Sequence, residues 1–469
     1  MISLVSKRLK AWHLVFSFFV LYVLLAIRLP IWIDEAFTIQ QSSLPLGSLI
    51  KDCLTKLDAV HLVYYVICWL IGVAFDQSLL ALRLLSILAT LGTLRNLFYV
   101  MSLKFDRTTS LIAISIFGIL PVTIDFATQA RSSSLVTFLF SCTVLIAIKS
   151  EGNFQNPQLI QFLFLSTLFV CVNFLSLVGY IIVLLYIFAK NKVFFKSLKH
   201  RASLIIPFVA AIPFVLLGQH QKSQIQWIGS ESSFQEMVNK FWFWPIQGDD
   251  RVAGKAIVCF MVLSIASIAV SRKIVDSLQS QKLVVVFLSS IAFLPPLILL
   301  VASLVQPIFL TRYFAYSGLG VSALIALFLS MHQSNAFRLG YIAALLALCI
   351  ANVSALSMNR DGQVDWIRVA TEVSQGPTSA TILLDPTWST PLARYYLTDD
   401  ESIRIVGGIF DLKILAKGDC RVLPHNVWFI SAFMETSVQD FEEMNLLGYK
   451  SESKAGSAGP ILFSLDNCK

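Results

Sequence analysis

About eleven apolar runs, each near the length of a membrane-crossing helix, occupy the first 357 residues and leave the chain little choice of solvent. They lie at 11–27, 78–103, 108–124, 133–149, 158–172, 174–189, 202–217, 253–271, 283–303, 314–331 and 337–357. A helix needs about 20 predominantly apolar residues to cross the hydrocarbon core. Within that core every backbone N–H and C=O must bond inside its own segment, so such runs fold as helices. Only 14% of residues are charged, against about 25% in a soluble domain. The expected architecture is therefore a polytopic α-helical membrane protein. Run 11–27 follows Lys7, Arg8 and Lys10, and Arg28-Leu29-Pro30 offers no small-residue cleavage site. It reads as a retained anchor.

The net charge of +8 hides a division. Residues 358–469 hold 10 Lys and Arg against 15 Asp and Glu, a net of −5, which leaves 26 against 13 for residues 1–357. Excess positive charge in a membrane region belongs to short cytoplasmic loops. Placing the N-terminus in the cytoplasm puts Lys104/Arg107, Lys149, the cluster from Lys190 to Arg201, Arg272/Lys273/Lys282 and Arg338 on that side. These basic residues sit in separate turns rather than one patch, which argues against nucleic acid as a partner. The stretch 61–75 is too short to be a further crossing. Residues 45–75 are therefore read as helices at the outer interface, with Tyr64, Tyr65 and Trp69 suited to that depth.

Two outer segments are long, 28–77 and 218–252, and both belong to a transmembrane module spanning 1–357. After Leu356 the composition changes. Strand-like runs at 381–384, 403–406, 427–430 and 461–465 alternate with helix-like runs at 391–397 and 438–447. This pattern predicts a small α/β domain over 358–469, and an odd number of crossings places it outside the cytoplasm. The eight cysteines show no metal-ligand spacing. Cys420 and Cys468 share the C-terminal region, where an extracytoplasmic location permits a disulfide.

Ionisable residues gather at the outer ends of the runs. Asp34 and Glu35 follow the first helix. Carboxylates at a membrane boundary are solvated, paired or functional, and a solvated helix end is the plainer alternative here. Asp58 and His61 are three apart and share a helical face, fit either to bind a divalent metal or to orient a phosphate; His61 also reads simply as an interfacial histidine. Arg83 stands near the mouth of the next helix. Asp125, Gln129 and Arg131 mark another outer turn, and Arg312-Tyr313 a later one. An arginine at a helix end also reads as a snorkelling side chain.

In order and spacing this series resembles the GT-C superfamily of membrane glycosyltransferases, and within it the bacterial relatives of protein O-mannosyltransferases and of the lipid A aminoarabinose transferase. The resemblance covers roughly residues 28–315. It is carried by Asp34-Glu35, by Asp58…His61…Tyr64-Tyr65, by Ala81-Leu-Arg83-Leu, by Gln129-Ala-Arg131 and by Arg312-Tyr313. The chain departs from the family in His61-Leu-Val, where two prolines often follow the histidine. It departs again in Thr128-Gln129-Ala-Arg131, where Gln-Glu-Ala-Arg is common, and in Ser132–Ser134, where an aromatic often follows the arginine.

The resemblance implies an inverting transferase. Its donor is a mannose- or arabinose-like sugar on a polyprenyl-phosphate carrier, and its acceptor a glycan, lipid or protein hydroxyl outside the plasma membrane. Asp34 is then the base and Glu35 its helper. Arg131, Arg312 and Arg83 bind the donor phosphate, while Asp58, His61, Tyr64, Gln129 and Tyr313 contact substrate. Metal dependence stays open, with Asp58 and His61 as candidate ligands. The competing classes are a secondary transporter and a non-catalytic envelope-assembly protein. A transporter places charges near the bilayer midplane, where these runs are nearly free of them.

Overall fold

A helix ends where its backbone hydrogen bonds can no longer continue, and Pro121 sets one such end inside an apolar run. The run 108–124, expected as one crossing, is two helices in the computed structural model of the chain: α6 (Arg107–Ile119) and α7 (Pro121–Ala127), bent by 64°. Proline lacks an N–H, and its ring disfavours helical geometry at Leu120. The structure describes residues 2–55, 59–151, 154–191, 197–221, 281–306 and 308–331, a few isolated positions, and the elements between 369 and 465 given below. The expected run 253–271, nearly all of 337–357, most of the 218–252 loop, Asp58, Cys420 and Cys468 lie outside the described residues.

The described chain divides into two units, Met1–Arg28 with Gln41–Ser354, and Leu29–Gln40 with Ala355–Lys469. The first is helical. Its elements are α1 (Ile2–Arg28), the end of α2 (Ile33–Ser42), α3 (Leu46–Thr55), a 3-10 turn Ala59–His61, α4 (Leu62–Ala74), α5 (Leu79–Ser102), α6, α7, α8 (Ser132–Ser150), α9 (Asn156–Val172), α10 (Leu177–Lys190), α11 (Leu198–Ser203), α12 (Ile206–His220), α13 (Lys282–Ala302) and α14 (Gly318–Met331). Among the described residues five helices are long and apolar enough to cross a membrane, or six if the bent pair is one crossing. Shorter apolar helices run Leu62–Ala74, Asn156–Val172, Phe174–Lys190 and Ala315–Met331.

The outer surface of this unit is unlike that of a soluble protein. Ile160 and Phe164, one turn apart on α9, are 68% and 66% exposed, whereas Ser86, Thr90 and Asn96 of α5 are buried. An apolar exterior around a hydroxyl-bearing interior is the surface lipid requires. With the fold established below, this makes the chain a polytopic membrane protein.

Helices α5 and α8 form the central pair. Thr90 Oγ1 lies 3.2 Å from Ser134 Oγ, and Asn96 Nδ2 donates to Ser141 Oγ and to Cys142 Sγ, both at 3.0 Å. A Cβ on Gly92 would meet the Phe138 ring at 2.4 Å, so glycine there seats the ring. Helices α13 and α14 approach more closely still. A Cβ on Gly320 would lie 2.5 Å from the backbone of Leu288 and Ala292.

Helix α1 is held near its C-terminal end at two points. Tyr22 Oη donates to the Gly118 carbonyl at 2.7 Å, beside the α6–α7 break, and Arg83 donates to the Ala26 carbonyl. At the α5–α6 turn Asp106 caps α6, accepting from the Thr108 and Thr109 amides at 2.9 and 3.3 Å. Partial burial works against its charged form, but the Thr109 hydroxyl and these amides outweigh it and hold the carboxyl below its ordinary value. Lys104 Nζ lies 2.6 Å from Glu151, and that hydrogen bond and charge, with help from Lys190, likewise lower the Glu151 carboxyl.

The second unit contains a five-stranded sheet, β1 (Ala380–Asp385), β2 (Ile403–Val406), β3 (Asn426–Ser431), β4 (Tyr449–Lys450) and β5 (Ile461–Leu465), in the order β2-β1-β3-β5-β4. β1 is parallel to β2 and β3, while β5 is antiparallel to β3 and β4. Parallel neighbours need a crossover, and α15 (Thr390–Leu397) lies in the β1–β2 connection. Ile382, Leu384, Val427, Phe429, Ile430 and Phe463 are all fully buried. The strand-like runs of the sequence fall in β1, β2, β3 and β5; of the run 438–447, Met444 alone is described.

Candidate functional site

The first turn of α8 gathers segments far apart in sequence. Arg131, with extended backbone (φ −138°, ψ 157°), is the N-cap, and the helix begins at Ser132. Three successive serines then fasten three neighbours. Ser132 Oγ lies 3.0 Å from Nδ1 of His61. Ser133 Oγ donates to the Arg312 carbonyl at 3.4 Å. Ser134 Oγ donates to the Phe126 carbonyl at 2.8 Å. From α5, Ser86 Oγ donates to the Arg131 carbonyl at 3.4 Å. Serine suits these positions because its short hydroxyl bonds locally without disturbing a helix start.

Most of the expected bundle residues meet around this turn. His61 and Arg131 are 3% and 6% exposed. Tyr64, one turn beyond His61 on α4, is buried, and its hydroxyl lies near Cys68 and Ser86. The Tyr65 ring stands edge-on to His61, centroids 6.2 Å apart. Gln129 Nε2 donates to Oδ1 of buried Asp125 at 2.6 Å, fixing the amide two residues before Arg131. The Arg312 guanidinium lies 5.5 Å from the centre of the buried Tyr313 ring. A guanidinium at a helix N-terminus, where amides carry partial positive charge, forms an anion-attracting corner.

Arg83 has a contact that the expectation did not include. It is 2% exposed, and its Nη1 donates to the carbonyl of Ala26 at the end of α1. That bond gives it a structural task whatever else it does. Asp34 and Glu35 belong to the other unit and stand in the first turn of α2, where acidic charge favours the helix. They are not equivalent. Glu35 is fully buried, and its Oε2 accepts the Trp32 amide at 3.0 Å, so it acts as a capping carboxylate. Asp34 is half-buried, and its carbonyl accepts from Thr38 Oγ1 at 2.9 Å.

Two site residues have no role in the expectation. Ser132 stands out in sequence only as a polar residue at a position where relatives often carry an aromatic. Asp125 stands in the outer turn, but nothing in the sequence ties it to Gln129 beyond an i, i+4 spacing. Among the described residues no group of three or more His, Cys, Asp or Glu is arranged to hold a metal ion.

No family model matches the chain, and no curated protein matches it in sequence. Its fold does match solved structures. It is similar to ArnT from Cupriavidus metallidurans in the apo state, with a TM-score of 0.58 at 10% identity over 98% of both chains. It is equally similar to that protein bound to undecaprenyl phosphate, with a TM-score of 0.58 at 11% identity over 98% of both chains. The Archaeoglobus fulgidus oligosaccharyltransferase in complex with Zn and sulfate gives 0.50 at 10% identity, over 96% of this chain and 73% of that one. At such identities the likeness is one of fold alone, and that fold is the one the ArnT structures show.

Proposed function

We propose that this GT-C-fold membrane protein is an inverting glycosyltransferase. It moves a mannose- or arabinose-like sugar from a polyprenyl-phosphate carrier to a glycan, lipid or protein hydroxyl on the extracytoplasmic side of the plasma membrane. The observation that carries the reading is the cationic corner at the start of α8. There Arg131, His61 and the Arg312 segment converge, in a fold shared with a protein crystallised with undecaprenyl phosphate.

In this reading Arg131 and Arg312 offer planar forks to the donor phosphate oxygens, and the α8 terminus adds its partial charge. Phosphate leaves readily once its charge is compensated, so no acid is needed. Asp34 takes the proton of the acceptor hydroxyl as that oxygen attacks the anomeric carbon. The new C–O bond forms on the face opposite the phosphate. The old bond breaks with its electron pair going to the phosphate, which inverts the centre. Glu35, committed to the Trp32 amide, supports the helix that carries the base. Gln129, oriented by Asp125, and Tyr313 contact the sugar or its phosphate. The prenyl tail lies between the helices, and residues 358–469, outside the cytoplasm, help bind the acceptor.

The test is transfer from a radiolabelled polyprenyl-phosphate sugar by protein reconstituted in vesicles. Asp34→Asn keeps the size of the side chain and removes the base. It inserts and folds as wild type, and transfer falls by about 10²–10⁴-fold, the usual contribution of a positioned base. Undiminished transfer would remove Asp34 from the mechanism.

A further inference from the structure

We infer that Arg95, Tyr99 and Lys149 form a binding site for the headgroup of an anionic phospholipid on the lipid-facing side of the α5–α8 pair. The inference starts from a charge within a membrane-crossing helix. Helix α5 has 24 residues, and Arg95 stands seven residues before its end at Ser102. At 1.5 Å per residue its Cα is about 10 Å inside that end. The side chain is exposed, on the same face as Leu88, two turns earlier and 59% exposed. Among the described residues no hydrogen bond or ion pair engages the guanidinium, which lies over the Tyr99 ring, 5.2 Å from its centre.

A charged side chain in hydrocarbon is costly unless it finds a partner or reaches the interface. Tyr99 is one turn nearer the helix end than Arg95, so stacking on its ring draws the guanidinium toward that end. Stacking occupies the flat face of the guanidinium and leaves its N–H edges free to donate. An oxyanion at the membrane surface is the partner that those edges fit.

Helix α8 supplies a second cation. Asn96 donates to Cys142 Sγ at 3.0 Å, and Arg95 acts electrostatically on the same thiol, so this level of α5 adjoins Cys142. The two helices are still neighbours at their ends, where Lys104 meets Glu151 at 2.6 Å. Lys149 stands between those levels. It is exposed and two turns beyond Cys142, hence on nearly the same side of α8. A cation in the last turn of a helix suits the dipole; Arg95, well inside its helix, has no such account. The carboxylates at this end are committed elsewhere. Glu151 pairs with Lys104, with Lys190 adding to its field, and Asp106 caps α6. A guanidinium fork and an ammonium along one helix pair suit a phosphate-bearing headgroup. The acyl chains of a lipid, unlike free phosphate, also cover the exposed Leu88.

The experiment is native mass spectrometry of the full-length protein in detergent, with phosphatidylglycerol or phosphatidylcholine added. Wild type holds one phosphatidylglycerol more tightly than any further one, and more tightly than phosphatidylcholine. Arg95→Gln weakens that first binding about tenfold, the loss of one hydrogen bond to a charged group. Lys149→Gln weakens it less, and Arg95→Lys, which keeps the charge without the fork, falls between wild type and Arg95→Gln. Arg201→Gln, which removes an exposed cation from α11, leaves it unchanged. Equal binding of the two lipids, wild-type affinity in Arg95→Gln, or an equal loss in Arg201→Gln overturns the inference. So does displacement of the lipid by an equal concentration of inorganic phosphate. A wild-type dimer that Arg95→Gln separates overturns it too, and gives Arg95 to a second copy of the chain.

Discussion

Arg83 offers the sharpest division between what a sequence motif implies and what a side chain does. As a phosphate ligand it would matter for donor binding. As a pin on the end of α1 it matters for stability. Arg83→Met keeps the aliphatic bulk and removes the guanidinium, leaving the Ala26 carbonyl buried without this donor. A hydrogen bond from a charged group contributes about 1.5–3 kcal/mol, and orphaning the carbonyl adds to the loss. The expected destabilisation is therefore about 2–4 kcal/mol, a drop of several degrees in Tm for a protein of this size. Thermal unfolding in detergent reads that change, and titration with undecaprenyl phosphate below the transition reads binding. Arg83→Met should lower Tm and leave affinity within about twofold, while Arg131→Met does the reverse, losing about tenfold or more in affinity. An Arg83→Met protein with wild-type Tm and weakened binding would return Arg83 to the donor site.

Two further substitutions test the packing and the electrostatics. Gly320→Ala forces apart the α13 and α14 backbones, because its Cβ has 2.5 Å where an ordinary contact needs more than 3 Å; the cost is about 1–3 kcal/mol even against the helix propensity alanine gains, measured as a lower Tm. Gly47→Ala, with nothing within 4 Å of the new Cβ, is its control and leaves Tm unchanged or slightly raised. Asp106 has a folded-state carboxyl held below its ordinary value of 3.8. Its contribution is complete above that value and lost as pH falls through the lower folded one. The Tm gap between wild type and Asp106→Ala therefore narrows between pH 5 and pH 2, and a gap independent of pH would refute the cap's ionic character.

The helices were legible because an apolar run of spanning length has one physical outcome in lipid. The break at Pro121 was legible in principle, but the surrounding hydrophobicity masked it. Strands β1, β2, β3 and β5 announced themselves by β-branched and aromatic runs, whereas β4 is two residues long and carries no such pattern. The order of Asp34, His61, Arg131 and Arg312 was visible in the sequence, but the contacts that tie His61 and the Arg312 segment to the start of α8 were not. Glu35 caps its helix, and that follows only once Trp32 is known to precede the first turn. An arginine at a helix mouth reads the same whatever it bonds, so the bond from Arg83 to the Ala26 carbonyl could not be foreseen. The pairing of Ser132 with His61 spans 71 residues, beyond the reach of any local pattern.

The α5–α8 pair also bears on how the chain is made. Thr90 and Thr93 satisfy their hydroxyls against carbonyls of their own helix, at Ser86 and Ala89. Asn96 does not, since both acceptors of its amide lie on α8. During synthesis α5 emerges before α8, with α6 and α7 between them, so for that interval the Asn96 amide waits in hydrocarbon for partners still to be translated. Any truncation that stops short of Ser141 therefore removes both acceptors of the Asn96 amide.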